Sequence, residues 1–161
     1  CAEELLVQVS QQDIPMDAIA CASGSGTTHA GLVAGLRASG HKVPVYGICV
    51  RRDKRSQSER VFKKSKIVAK MIGFENIIEE ADIKLTDATL SPGYGQLNDK
   101  VCEAIELAAT CEGLLVDPVY TGKALAGLID LIRQGVFSKD QNILFIHTGG
   151  TPALFGYPEL V

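Results

Sequence analysis

The chain has 161 residues, of which 46% are hydrophobic and 22% charged, with a formal net charge of -3. That balance supports one packed domain and excludes the broad basic field of a nucleic-acid binder. No apolar stretch is long enough to cross a membrane as a helix. Two local basic runs, RRDKR at 51–55 and KKSK at 63–66, lack interleaved aromatic residues and read as solvated faces. The five cysteines, at 1, 21, 49, 102 and 111, are an odd number without C-x-x-C spacing. Reduced thiols in a cytoplasmic protein have this usage, and no metal-ligand spacing is present.

In chain order, residues 2–11 have helical spacing, and CAEELL reads as a helix entered in mid-flow, so the chain is expected to continue upstream. AIACA at 18–22 is a short apolar strand, THAGLVAGLRASG at 28–40 a helix closed by Gly40, and VPVYGICV at 43–50 a second strand. Cys21 and Cys49 fall within these strands and read as small core residues. SQSERVFKKSKIVAKMIG at 56–73 is an amphipathic helix, with Ser56 and Glu59 at capping-box spacing and Gly73 as its stop. LTDATLSPGYGQ at 85–96 is the most irregular span, a loop of the kind that carries function. A helix at 96–110, a strand at 113–117, a helix at 121–135 and a strand within 142–150 complete the chain. Apolar strands separated by helices predict a single three-layer α/β domain over 1–161, with a mostly parallel sheet flanked by helices.

Ligands of such sheets bind at the carboxyl ends of the strands. Three turns are predicted there: SGSGTTHAG at 23–31, DPVYTGK at 117–123 and HTGG at 147–150. If their strands are neighbours, the turns share one pocket. The first has the composition of an anion cradle, in which glycines allow close approach, hydroxyls donate, and the helix N-terminus favours negative charge. It is not a P-loop, because Leu32 follows Gly31, and not a dinucleotide fingerprint, because His29 stands where a third glycine is needed. A tight turn with a hydroxyl cap fits the same residues. Taken singly, Tyr94 and Tyr120 read as half-buried surface residues, His147 as a local hydrogen-bond partner, His29 as solvent-facing and Lys123 as a surface lysine.

Four segments in register change that reading. ASGSGTTHAGLVAGL, SPGYG, DPVYTGKALAGLIDLIRQG and ILFIHTGGTPALFGY together resemble the pyridoxal-phosphate enzymes of the D-cysteine desulfhydrase and 1-aminocyclopropane-1-carboxylate deaminase family. The resemblance covers nearly the whole chain and implies the tryptophan-synthase β-subunit type of fold, fold type II. It implies that Gly24, Ser25, Gly26, Thr27 and Thr28 hold the phosphate of pyridoxal 5'-phosphate. Tyr120 and Tyr94 match tyrosines at the substrate. Thr121 and Thr148 match positions that differ within the family: deaminases carry Glu and Leu there, whereas desulfhydrase-like members carry Ser or Thr and then Thr. A carboxylate near the pyridine nitrogen makes the ring a strong electron sink; a threonine hydroxyl makes a weaker one, adequate when thiolate leaves the β-carbon. Thr121 is the first choice for that contact.

The implied reaction is α,β-elimination of D-cysteine or a related amino acid to pyruvate, ammonia and sulfide. The alternatives are a deaminase portion and a non-catalytic module that binds a phosphorylated ligand. In the family, the lysine that carries the cofactor lies in the N-terminal half, and members are roughly twice this length. None of the ten lysines here lies in a matching motif. The chain therefore resembles the C-terminal, phosphate-binding half. It is expected to be inactive alone and to associate with itself or with an N-terminal segment.

Overall fold

Alternation along the strands decides the layers. In the computed structural model, which describes residues 1–160, β1 (Ala18–Ser23), β2 (Val45–Cys49), β3 (Ile83–Thr86) and β4 (Ile143–Ile146) form one parallel sheet in the order β3-β2-β1-β4. Ile19, Cys21, Val45, Cys49, Ile83 and Leu85 pack to one face, against α2 (Thr27–Ala38) and α3 (Lys54–Met71), with α1 (Ala2–Gln12) lying on α2. Ala20 and Ile48, with Ile143 and Phe145, face the opposite way onto Ala124 and Leu128 of α5 (Thr121–Arg133). α4 (Asp99–Glu112) covers α5 through Val101, Ala104 and Ala126. A period of two with apolar residues on both sides requires helices on both faces. Each fully buried aliphatic side chain, such as Ile19 or Ile48, stabilises the domain by roughly 1.5–3 kcal/mol. The three-layer α/β arrangement expected from the sequence is the one found. No helix among the described residues is long and apolar enough to cross a membrane.

The strand order positions the site. From β1 the chain steps outward through α2 to β2 and through α3 to β3, then returns through α4 and α5 to β4 on the other side of β1. The helix that leaves β1, α2, and the helix that leads into β4, α5, therefore lie on opposite faces, which opens a crevice at the carboxyl ends of these two strands.

Three local expectations are corrected. No strand forms at 113–117. Leu114 and Leu115 are exposed, and the Leu115 carbonyl accepts from His147 Nε2 at 2.9 Å and Thr151 Oγ1 at 3.4 Å instead of from a ladder amide. An apolar run becomes a strand only beside a partner, and β4 pairs with β1 alone. α3 begins ahead of Ser56, because Asp53 is its N-cap and accepts from Ser56 N–H at 2.9 Å and Ser56 Oγ at 2.7 Å. A carboxylate there satisfies a free amide and complements the helix dipole, and the Ser56 hydrogen bonds hold it below the usual carboxylate range. β3 begins just before the span read as irregular and overlaps it, its Ile83 and Leu85 facing inward on either side of exposed Lys84.

His29 is buried, not solvent-facing. Its Nε2 donates to the Val45 carbonyl at 3.1 Å, so its Nδ1, 3.2 Å from Ser23 Oγ, accepts. Gly47 makes room for the ring, since a Cβ there would stand 2.3 Å from His29 Nδ1 and 2.8 Å from Leu85 Cδ2. Burial pushes the imidazole down to about 4, against a smaller upward pull from the Val45 hydrogen bond.

Because the fold favours neutral His29, this stabilisation is complete above the ordinary histidine value of about 6.5 and is lost as pH falls toward 4. Urea unfolding over that range is expected to show a loss on the order of 3 kcal/mol from this group. The His29→Gln chain, less stable at neutral pH, is expected to show a shallower slope between pH 6.5 and 5. Equal slopes in the two chains would assign the pH dependence elsewhere. Gly47→Ala is expected to lower stability by about 1–3 kcal/mol through overpacking, read as a lower urea midpoint.

Candidate active site

β1 ends at Ser23 and α2 begins at Thr27, so residues 24–26 make the whole turn. Gly26 has φ 79°, in the left-handed region, and a Cβ there would stand 3.1 Å from Val61 Cγ2. The Gly24 carbonyl accepts from Arg52 Nη1 at 3.1 Å and Gln57 Nε2 at 3.2 Å, and the Ser25 carbonyl accepts from Arg60 Nε at 2.9 Å. A trans peptide sets a carbonyl and the following N–H on opposite sides. With both carbonyls drawn toward Arg52 and α3, the N–H groups of Ser25 and Gly26 point away from that helix. The first-turn amides of α2 have no carbonyl one turn earlier, and Ala30 N–H is the first to find one, that of Gly26 at 2.9 Å. Amides, hydroxyls and a positive helix end make a donor set suited to a phosphate.

The other two turns close on this one. Together they line a cleft of about 290 Å³, with Gly24, Ser25 and Thr28 from the first, Tyr120 from the second, and Thr148, Gly149 and Gly150 from the third. Among the described residues, no carboxylate lines it. The Tyr120 ring lies over Gly24, where a Cβ would meet its Cε1 at 3.5 Å. The Tyr94 hydroxyl is hydrogen-bonded to that of Tyr120, with the rings edge to face and centroids 6.0 Å apart. Arg51 lies 5.5 Å from the Tyr94 ring centre. The Tyr94 hydrogen bond, followed by burial and the neighbouring Tyr94 and Asp117 charges, raises Tyr120 above the usual phenol value, and Arg51 opposes the rise. Tyr120 therefore keeps its proton at neutral pH.

Of the residues singled out in the sequence, Gly24, Ser25, Thr28, Tyr120 and Thr148 meet in the cleft, and Tyr94 reaches it through Tyr120. Gly26 shapes the turn, and Thr27 Oγ1 accepts from Lys64 Nζ at 3.3 Å on the α3 side. Thr121 is buried and outside the cleft wall: its hydroxyl donates to Asp117 Oδ1 at 2.7 Å and accepts from Asp117 N–H at 2.8 Å. His147 is the local partner expected, its Nδ1 accepting from Gly149 N–H at 3.2 Å. Lys123 is not on the surface but wholly buried, its ammonium on the carbonyls of Leu90, Gly93 and Gln96.

The sequence reading missed Gln57, Arg52, Arg60 and Asp117. Asp117 accepts from the N–H groups of Val119 and Tyr120, at 2.9 and 2.8 Å, and from that of Thr121 at 2.7 Å. It thereby folds the turn that presents Tyr120. The signal was there in D-P-x-x-T, an aspartate able to bond its own downstream amides. Gln57 and the arginines carry no such local sign.

These features agree with known proteins. The family of pyridoxal-phosphate dependent enzymes matches residues 1–149. D-cysteine desulfhydrase of Salmonella typhi is 45% identical over 152 residues, covering 94% of this chain and 45% of that protein. D-cysteine desulfhydrase of Salmonella paratyphi C (strain RKS4594) is 45% identical over 157 residues, covering 96% and 47%. The chain thus spans about half the length of the curated relatives it matches. The crystal structure of an ACC deaminase homologue superposes with a TM-score of 0.83 at 35% identity, over 97% of this chain and 46% of that one. The fold type II expectation holds on that likeness, and the chain belongs to the family of pyridoxal-phosphate dependent enzymes.

Proposed function

We propose that the chain forms the phosphate-binding portion of a lyase of the D-cysteine desulfhydrase type, which converts D-cysteine, with water, to pyruvate, ammonia and hydrogen sulfide, or a related β-substituted amino acid to pyruvate, ammonia and its own leaving group. The observation that carries this is the meeting, in one cleft that no carboxylate lines among the described residues, of the 24–28 cradle with the Tyr94–Tyr120 pair and Thr148. Identity of 45% to proteins named D-cysteine desulfhydrase supports the same reading.

In this proposal the amides of Ser25 and Gly26 and the hydroxyls of Ser25 and Thr28 bind the phosphate of pyridoxal phosphate, and Gln57, Arg52 and Arg60 keep the cradle peptides turned. Bound there, the cofactor supplies an electron sink for the pair left at the substrate α-carbon. Tyr120 holds a proton at Oη and gives it to the departing sulfur, and Tyr94 hydrogen-bonds the oxygen left behind. Thr148 lines the cleft and Thr121 does not, which supports Thr148 as the hydroxyl that would meet the pyridine nitrogen, with Thr121 holding the Asp117 turn. A neutral hydroxyl leaves the ring a milder sink than a carboxylate would, which suits a good leaving group on the β-carbon. The five free cysteines suit a reducing compartment, and the proposal puts the protein in the cytoplasm. Leu115 and Phe155, 54% and 82% exposed, favour association with a second copy.

Pyridoxal phosphate added to this chain, with borohydride reduction and peptide mapping, tests the cradle. Saturable binding is expected, weakened roughly tenfold by Gly26→Ala, whose side chain strains the left-handed turn. Binding indifferent to Gly26→Ala would remove the cradle from the proposal. In the full-length gene product, pyruvate from D-cysteine is expected, and Tyr120→Phe is expected to lower kcat by about 100-fold or more. Release of 2-oxobutyrate from 1-aminocyclopropane-1-carboxylate would instead make it a deaminase; phosphate binding with neither product would leave a binding module. Sedimentation velocity is expected to show species larger than the monomer, and a single monomeric boundary at high concentration would overturn the association.

A further inference from the structure

Lys123 has no part in the reaction as proposed, yet it is wholly buried in the first turn of α5, three residues after Tyr120. Its ammonium donates to the carbonyls of Gly93 at 2.6 Å, Gln96 at 3.1 Å and Leu90 at 3.4 Å. An ammonium has three N–H donors, and three carbonyls use all of them. Among the described residues it forms no ion pair with a carboxylate. Burying an unpaired cation is costly, and desolvation accordingly lowers the Lys123 pKa. Packing alone would be served as well by methionine, of similar length and without charge.

The charge gathers backbone. Residues 87–98 belong to no strand or helix, so their carbonyls have no ladder to join. Three of them converge on one cation instead. Tyr94 lies between Gly93, held by Lys123, and Gly95, whose carbonyl accepts from Tyr157 Oη at 2.6 Å. The loop that carries Tyr94 is thus fastened to the same helical turn that follows Tyr120. One element then fixes both members of the tyrosine pair, Tyr120 through the chain and Tyr94 through the cation.

We propose that Lys123 is a positioning residue, whose ammonium gathers the carbonyls of Leu90, Gly93 and Gln96 and so fixes the 90–96 loop with the Tyr94 hydroxyl against that of Tyr120. Its importance to turnover rests on the role given above to that pair. The test reads the pair directly, so failure of the lyase reading and failure of this one are separable.

The experiment is ultraviolet titration of the tyrosines in this chain, which has four, at 46, 94, 120 and 157. The Tyr120 share is the difference from Tyr120→Phe. The groups that act on it are Tyr94, Asp117 and Arg51, all kept in the lysine variants. Tyr120 is expected to titrate above an ordinary phenol in the parent and to fall in Lys123→Met to the value it has in Tyr94→Phe. A Lys123→Met chain with the parent's circular dichroism and an unmoved Tyr120 would overturn the proposal, as would a parent Tyr120 that titrates like a free phenol. Should Lys123→Met not fold, Lys123→Gln, which keeps two donors without the charge, is titrated in its place. The unaltered chain labelled with 15N-lysine gives an independent reading. The Lys123 ammonium protons are expected to exchange far more slowly than those of surface lysines, and equally fast exchange would overturn the proposal whichever variants fold.

Discussion

The carboxamide of Gln57, buried at the start of α3, is the fastening on which the site depends. Its Nε2 donates to Ser23 Oγ at 2.9 Å and to the Gly24 carbonyl. From Ser23 the hydrogen bonds run on to His29 and the Val45 carbonyl, joining β1, α2 and β2. From Gly24 they set the peptide that turns an amide away from α3. One side chain thus ties the sheet to the glycine turn at 24–26. Its orientation is settled by chemistry, because a carbonyl only accepts and the amide nitrogen must face Gly24. Gln57 Oε1 is left buried and unpartnered, which costs about 1–3 kcal/mol and shows how firmly the other end is engaged.

Neutrality is the other organising feature. Among the described residues, the cleft holds hydroxyls and backbone amides and no carboxylate, while Asp117 lies buried just beneath with its oxygens taken up by the amides of its own turn. A negative charge in the cleft would repel a phosphate; a negative charge under it shapes the backbone without facing the ligand. Arg52 and Arg60 follow the same logic with opposite sign. They bind the outer carbonyls of the cradle and so direct its peptide dipoles.

What the sequence disclosed depended on how local each cause was. The cradle was legible because strand, glycine turn and helix start follow one another directly in the chain, and Gly26 is needed for its own left-handed backbone. Tyr120 and Thr148 were legible as turn residues, and register with a family gave them a role. Gln57 and Lys123 were not, because their partners lie 27 to 34 residues away and neither pattern nor spacing announces such a bond. Lys123 reads as a surface residue from type alone, since lysine is rarely buried unpaired. The segment at 113–117 has a strand's composition and pairs with no strand, whereas β3, with only four residues, gains its identity from pairing with β2.

The approach of Gly150 to Asp117 has a consequence for anyone reshaping this pocket. A Cβ at position 150 would sit 2.8 Å from Asp117 Cγ, on a backbone with φ 96°. The third turn and the turn that presents Tyr120 are thus geared together, with no slack for even a methyl group between them. Random libraries spread over both loops would spend most members on jammed gears. Diversity placed at Thr148, which lines the cleft, alters the pocket while the gearing stays intact.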